Sequence, residues 1–344
     1  MKRSIVSGWL FFILFFLAVS PLARAAGAEV RFPRLSLKLT AGLGFLNGGG
    51  GDLETLRTDT QALWSSLPQI RGFESSFDWK GLPATPEMGA EIILNLSPRF
   101  ALGLGSGYIF GSRSRGAFSY RYSIAQFLQG SGYSEDDQAT YIQDYKYKAV
   151  PIRANIYVSE EFGRFTIFGF GGLELVFASI DHDYSMTAAL QDKGLSAYAP
   201  HTERDVDLIV TTRETVKSHA LGFRAGLGCE IRIAGPLSLG MEVFGRILRL
   251  NGWNGNGTLD SRTRVRDWVD GVGWTNDTTT AATLSPSGKW LYTFDFDPSI
   301  RYLFTMENLT LENPNTPYTT YFKSRDAVVD LSGIGVLLSI RYRL

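Results

Sequence analysis

The chain is poor in several residue types that would mark common protein classes. It has one cysteine, Cys229, among 344 residues, so no internal disulfide can form. It has only three histidines, and its 34 basic residues are balanced by 34 acidic ones. This charge balance gives no reason to expect nucleic acid as a partner. No cofactor motif is found, and we expect no cofactor and no resident metal.

Long apolar runs are missing except near the start. Lys2 and Arg3 precede an apolar run at 9–19, which is followed by the sequence Ala23-Arg24-Ala25. A basic start, a short apolar core and an A-x-A site are typical of a secretory signal peptide. The apolar run is also shorter than the roughly 20 residues that a membrane-spanning helix needs. We therefore predict a signal peptide at 1–25 and one domain at 26–344.

The last strand-like segment shows the pattern that recurs along the chain. Within 333–344, every second residue from Ile334 to Leu344 is large and apolar, whereas Arg341 and Arg343 lie on the opposite face. Successive side chains of a strand point to opposite faces. An oily face opposite a polar face fits a strand that has lipid outside and a polar lumen inside.

Eight segments share this alternation. Short turns at 97–99, 159–163 and 234–236 join some of them, and long connections at about 47–86, 112–146, 179–218 and 250–327 join the others. Short turns at one end and long loops at the other are the layout of an outer-membrane barrel. The eight predicted strands are 34–45, 87–96, 100–111, 147–158, 164–178, 219–233, 237–249 and 328–344.

A ninth and a tenth strand are also conceivable. Residues 290–296 and 300–304 alternate around the turn Asp297-Pro298-Ser299, but their apolar residues are mostly aromatic, which suits an interface more than the bilayer interior. We favour a hairpin above the membrane, with a ten-stranded barrel as the alternative. The first long connection has Asp52 as a candidate helix N-cap and apolar residues near helical spacing over 53–67, so it predicts a short helix at the barrel mouth or on the membrane.

On these features the chain resembles the small bacterial outer-membrane β-barrels, the broad group similar to outer-membrane proteins A, W and X. The resemblance implies an all-β fold, an eight-stranded antiparallel transmembrane β-barrel with long external loops, in the bacterial outer membrane. It also implies outer-membrane lipid and lipopolysaccharide as surroundings, and a monomer. It covers the barrel and says little about function.

The lumen is the first place to look for chemistry. Lys38 and Glu91 fall at similar heights on neighbouring strands, and so do Arg224 and Glu242. An eight-stranded barrel is just wide enough for side chains to fill, and buried charges must pair. These four residues are therefore predicted to belong to a structural charge network. The alternative is a narrow conduit for small apolar or anionic molecules.

Catalytic sets are weak in this sequence. Asp181-His182-Asp183 could in principle make a general base, and it resembles in class the omptin proteases, but the spacing departs from their motif. Glu135-Asp136-Asp137 could bind a cation, although a solvated acidic loop is the simpler interpretation. We predict a non-enzymatic barrel whose aromatic loops bind an extracellular ligand or support envelope integrity.

Overall fold

The computed structural model describes most of the chain beyond residue 34. The described residues are 35–46, 50–66, 68, 72–80, 84–128, 131–196, 201–285, 287–294, 301–305 and 323–344. The predicted signal peptide and the turn Asp297-Pro298-Ser299 lie outside them. Among the described residues, no helix combines the length and the apolarity that a membrane-spanning helix requires.

The described residues form a large antiparallel β-sheet, a small two-stranded sheet and one α-helix. The elements are β1 (Leu35–Leu46), α1 (Asp52–Ser66), β2 (Phe73–Lys80), β3 (Thr85–Asn95), β4 (Phe100–Leu128), β5 (Ser131–Phe162), β6 (Phe165–Ser196), β7 (Thr202–Ala234), β8 (Leu237–Ile247), β9 (Arg249–Leu250), β10 (Asn254–Val269), β11 (Gly273–Leu284), β12 (Ser287–Phe294), β13 (Arg301–Thr305), β14 (Lys323–Asp326), β15 (Val329–Asp330) and β16 (Gly333–Arg343).

Strand pairing follows a cyclic order. β3, β4, β5, β6, β7 and β8 pair consecutively, β8 pairs with β16, β16 pairs with β1, and β1 pairs with β3. These strands correspond to the eight predicted from the sequence. The main sheet nevertheless has fourteen strands rather than eight, because β2, β10, β11, β12, β13 and β14 add to it.

The end of the sheet with the short turns agrees with the sequence analysis. At this end, short turns join β3 to β4, β5 to β6 and β7 to β8, close to the predicted positions. Gly163 and Gly235 sit in two of these turns with φ of 64° and 50°. Such positive φ values are disfavoured for residues that carry a Cβ atom, so glycine suits both turns.

The prediction of long loops at 112–146 and 179–218 was wrong. β4, β5, β6 and β7 run through nearly all of these residues and continue the sheet as an extension, flanked by β2 on one side and by β10 and β11 on the other. The alternation there is between aromatic or small residues and polar ones, as in Phe118, Tyr120 and Tyr122. A search for aliphatic alternation misses that pattern.

Each long strand exchanges its apolar and polar faces part-way along. In β5, Ile152 and Ile156 are exposed on the outer face, while Arg153 is buried inside. Eight residues before Arg153, toward the extension, Tyr145 is buried inside, and its neighbour Lys146 is exposed outside. The exchange lies at about Lys148.

Exposed apolar side chains form a continuous band around the eight ring strands. The band passes from strand to strand through cross-strand neighbours such as Leu37 and Ile92, or Met241 and Leu338. Leu104, Leu221 and Leu338 are each about two-thirds exposed. Soluble monomers rarely expose a contiguous apolar surface of this kind.

The predicted hairpin and helix are both present. β12 pairs with β13, and β12 also pairs with β10 and β14, whereas β8 pairs directly with β16. The hairpin is therefore not inserted between the last two ring strands. The helix α1 begins at Asp52, and its Leu53 and Leu56 are buried. Its N-cap is Gly51 rather than the predicted Asp52, because the Gly51 carbonyl accepts hydrogen bonds from the N–H groups of Glu54 and Thr55.

Candidate functional site

The interior of the ring is crossed by charged side chains that face one another. In a first layer, Lys38 Nζ lies 3.3 Å from Glu91 Oε2 and 2.9 Å from Glu242 Oε1. Lys38 also donates a hydrogen bond of 2.7 Å to the Tyr157 hydroxyl, which in turn donates one of 2.5 Å to Glu91. Asn155 donates a further bond of 2.8 Å to Glu91. This layer contains two carboxylates and one ammonium.

A second layer lies next to the first on the extension side. Arg246 contacts Glu87 and Glu174, both at 2.7 Å. Arg153 contacts Glu174 at 2.8 Å and also bonds to Glu87. Arg224 completes this layer, which therefore contains three guanidinium groups and two carboxylates.

Arg224 links the two layers. It lies 3.6 Å from Glu87 in its own layer and 3.8 Å from Glu242 in the other. Its guanidinium carbon lies 3.9 Å from the centre of the Phe244 ring, within the range of a cation–π contact. Together the layers hold four cations and four anions, so their charges cancel, and all eight residues are buried.

The structure brings together both pairs that the sequence suggested, Lys38 with Glu91 and Arg224 with Glu242. The second pair is the looser one, since 3.8 Å is longer than a hydrogen bond. Sequence reasoning missed Glu174, because the glycines at 169, 171 and 172 obscured the register of β6. Once β5 is fixed, the pairing of Arg153 with Glu174 in register identifies it.

An apolar cluster fills the interior above the charged layers. The strands contribute buried side chains such as Tyr147, Val176 and Val216, and α1 contributes Leu53 and Leu56. Further members come from the segments near β9, β12 and β15. They are Leu248, Leu250, Trp253, Trp290, Ala327, Val329 and Leu331.

The helix α1 is fastened over this cluster by a side-chain latch. The Asp52 carboxylate accepts hydrogen bonds of 2.6 and 2.7 Å from the Arg325 guanidinium and one of 2.7 Å from the backbone N–H of Val328. Because Leu53 and Leu56 point into the cluster, the helix caps the barrel mouth, which is one of its two predicted positions. The side chains of Leu63, Trp64 and Leu67 lie outside the described set.

His182 has a different partner from the ones its neighbours in sequence suggested. Asp181 and Asp183 point outward and pair with Lys148 at 3.0 Å and Lys146 at 3.1 Å. His182 points inward, where its Nδ1 lies 3.2 Å from Glu214 Oε2. Alternation along the strand separates the histidine from both aspartates, so the Asp-His-Asp set considered in the sequence does not form.

The surroundings of His182 are enclosed. Its ring stacks on Tyr145 with centroids 4.3 Å apart, and both rings are almost fully buried. Burial, together with the nearby Glu214 carboxylate, raises the pKa of Tyr145 well above its usual value. A substrate arriving from solvent would not reach this pair without displacing the packed rings.

The acidic segment of β5 is also split by alternation. Asp136 faces outward and pairs with Arg121, whereas Glu135 and Asp137 lie with Asp192 of β6, with one oxygen of each within 4.8 Å of the others. Partial burial and the proximity of Glu135 and Asp192 raise the pKa of Asp137 to about 6. The three consecutive acids 135–137 are therefore not the group that converges.

Many aromatic residues of the extension pack on one another. Phe118 and Tyr141 stack at 4.9 Å, and Phe73 stacks on Tyr120 at 5.2 Å. Trp274, near the β10–β11 turn, stays about half exposed beside Arg266. Mutual packing was one of the two interpretations that the sequence left open for these residues.

Comparisons with known proteins find only distant likenesses. No protein-family model matches the chain, and no curated protein matches it. Solved structures that match include CarO of Acinetobacter baumannii, at 12% identity over 80% of this chain and 99% of that chain, with a TM-score of 0.22. Another is the outer membrane protease OmpT of Escherichia coli, at 8% identity over 91% and 94%, with a TM-score of 0.23.

Proposed function

We propose that this chain is a non-enzymatic, eight-stranded transmembrane barrel of the bacterial outer membrane. Its interior is closed to solutes, and its tall extension serves binding or envelope integrity at the cell surface. The observation that carries the proposal is the filled interior. A neutral set of four cations and four anions crosses the ring, and an apolar cluster lies directly above it.

Placement in a membrane is supported by the exchange of faces along the strands. Apolar residues are exposed and charged residues are buried in the ring, which is the reverse of a soluble protein but matches a strand between lipid and a polar lumen. The cyclic pairing leaves no free strand edge at this level, as the hydrocarbon region requires.

The absence of enzymatic activity is proposed from the site itself. The His182–Glu214 pair is enclosed by stacked rings, and the carboxylates of the lumen are held by arginines or by Lys38. A general base must reach the proton that it removes, and neither group offers that access.

A bilayer measurement tests the closed interior. Protein purified in detergent should be inserted into planar bilayers, with a known open porin as the positive control. We expect no stable single-channel steps, because no continuous aqueous path remains between the filling side chains. Steady conductance steps would favour the alternative of a narrow conduit for small apolar or anionic molecules.

The same preparation tests the barrel itself. We expect migration on gels that changes on heating, a β-rich circular dichroism spectrum, and recovery of the protein with outer membranes. A mainly helical spectrum, or recovery with inner membranes, would overturn the membrane-barrel proposal.

A further inference from the structure

A polar groove crosses the outer face of the extension. Its volume is about 820 Å³, and β2, β4, β5, β6, β7 and β10 all contribute to its wall. Most of its side chains lie on the face that, further along the same strands, carries the exposed apolar band. The groove therefore faces the space beside the barrel wall rather than the interior.

Two rows of side chains run across the strands at the groove floor. The register places Ser76 beside Ser119, Ser119 beside Thr140, and Thr140 beside Thr187, which gives four hydroxyl groups in succession. Neighbouring strands are about 4.8 Å apart, so this row presents hydroxyls at a regular interval. Ser76 and Ser119 hydrogen-bond to each other at 2.8 Å, whereas the hydroxyls of Thr140 and Thr187 have no protein partner among the described residues.

The second row is charged. It runs from Glu74 through Arg121 and Gln138 to Asp207 and Arg264.

The groove has one unpaired charge at each end. Arg121 and Arg264 are held by aspartates, at 3.2 Å from Asp136 and 2.7 Å from Asp277. Glu74 at the β2 end and Arg262 at the β10 end have no ion-pair partner within the described part of the chain. Arg262 lies one strand beyond the hydroxyl row, because Ile209 stands between it and Thr187. The groove thus combines free hydroxyl and amide groups with an available guanidinium at one end and an available carboxylate at the other.

This chemistry disfavours peptides and apolar molecules. A peptide strand binds a sheet at its edge through backbone hydrogen bonds, but β4, β5, β6, β7 and β10 each have neighbours on both sides at the groove. Among the described residues β2 pairs only with β4, but a peptide added at its free edge would extend the sheet rather than lie across the groove floor, where only side chains remain for recognition. Hydroxyl and amide groups with a cation at one end and a carboxylate at the other suit a hydroxyl-rich chain that carries scattered charged groups.

The height of the groove along the barrel wall indicates which hydroxyl-rich chain lies beside it. Along β5, Thr140 lies ten residues from Val150 at the edge of the apolar band, which is about 25 Å above the bilayer for a strand tilted by 35–45°. Sugar chains of glycolipids in the outer leaflet occupy this height beside the wall. We propose that the groove binds the sugar chains of lipopolysaccharide around the barrel, an inference that rests on the membrane placement proposed above.

The test uses the full protein in lipid nanodiscs that lack lipopolysaccharide. Sugar chains released from lipopolysaccharide by mild acid are titrated in, with neutral dextran as the comparison. We expect saturable binding of the released chains, weakened by salt because Arg262 is exposed. Nanodiscs that contain intact lipopolysaccharide should bind fewer released chains, since lipid-linked chains already occupy the groove.

Matched variants locate the binding. Thr140→Val with Thr187→Val should weaken binding about thirtyfold, as expected for two lost hydrogen bonds. Thr258→Val makes the same chemical change on the outer face, four residues from Arg262 along β10 and outside the groove lining, and should leave binding unchanged. Arg262→Gln should remove the salt dependence, whereas Arg213→Gln should not.

Two results would overturn the groove inference. The first is an absence of binding by protein that still shows heat-modifiable migration, which would leave the barrel proposal standing. The second is equal weakening by the groove variants and their controls. Protein that never forms the heat-modifiable species would instead refute the barrel proposal.

Discussion

The ring and the extension are built from the same strands but have opposite sidedness. Within the ring, aliphatic side chains face outward and charged pairs face inward. In the extension, Lys146 and Asp181 face outward, while Tyr145 and Ile180 face inward. In the proposed membrane placement, the same strands meet lipid in the ring and water in the extension, and the exchange of faces marks the boundary between the two.

The largest effect should come from stranding charges inside the ring. Lys38→Met leaves Glu91 and Glu242 without their shared cation, and we expect a loss of about 3–5 kcal/mol in the free energy of unfolding. Adding Glu91→Gln should cost less than the sum of the single changes, because one stranded charge is then removed. Urea unfolding in lipid vesicles measures the stability of the single and the double variants. Strictly additive losses would contradict the coupling of Lys38 and Glu91.

A charge on the outer face separates the two regions directly. Ile152→Arg lies on the apolar band of β5 and should destabilise the protein by about 2–4 kcal/mol. Thr140→Arg, on the same face of the same strand but in the extension, should change stability by no more than about 0.5 kcal/mol. Urea unfolding of both variants in lipid vesicles compares their free energies of unfolding. Equal costs would mean that lipid does not surround residue 152.

The interior of the extension should respond to lost apolar volume. Leu56→Ala removes a buried side chain of α1 from the apolar cluster and should cost about 2–3 kcal/mol. Gln61→Ala changes an exposed residue of the same helix and serves as the control. The rate at which a protease cleaves α1 in the folded protein is compared between the two variants. Similar cleavage rates would show that α1 is not held by the cluster.

The smallest effect concerns pH at the far end of β5 and β6. The pKa of Asp137 is raised to about 6 in the folded protein, above its ordinary value of 3.8. The stability that this group contributes is fully present below about pH 3.8 and is lost as pH rises through about 6.

Hydrogen exchange near Asp137, corrected for intrinsic rates, should therefore be slower at pH 5 than at pH 7. Glu135, Asp192 and Tyr133 face the same point, so the control is the single variant Asp137→Asn. The variant should lose most of the pH difference. An unchanged difference would assign the titration to another of these groups.

The ring was predictable because its strands follow a simple pattern. Their outward residues are apolar, so alternation in segments such as 34–45 identified the ring strands and placed Lys38 at a similar height to Glu91. The extension obeys the weaker rules of a soluble sheet, where an outward threonine and an inward tyrosine look like loop sequence.

Partners across strands were harder to predict than the strands themselves. The sequence places His182 between Asp181 and Asp183, yet alternation turns both aspartates away and the register supplies Glu214 from β7. The bulge in β4 between Ile109 and Ser112 adds a further shift that periodicity alone does not reveal. Pairing of neighbouring strands, rather than proximity in sequence, assembles these contacts.

The seam between β1 and β16 has a consequence for the order of folding. Ser36 pairs with Arg343, and Leu344 N–H donates a hydrogen bond of 2.9 Å to the carbonyl of Leu35, although nearly the whole described chain separates the two strands. Hairpins such as β5–β6 close short loops, whereas the seam must bring together segments about 300 residues apart and bears a much larger closure entropy. We therefore expect the hairpins to form early and the seam to form last, so that changes in the hairpins alter the rate of folding while changes at the seam act mainly on the rate of unfolding.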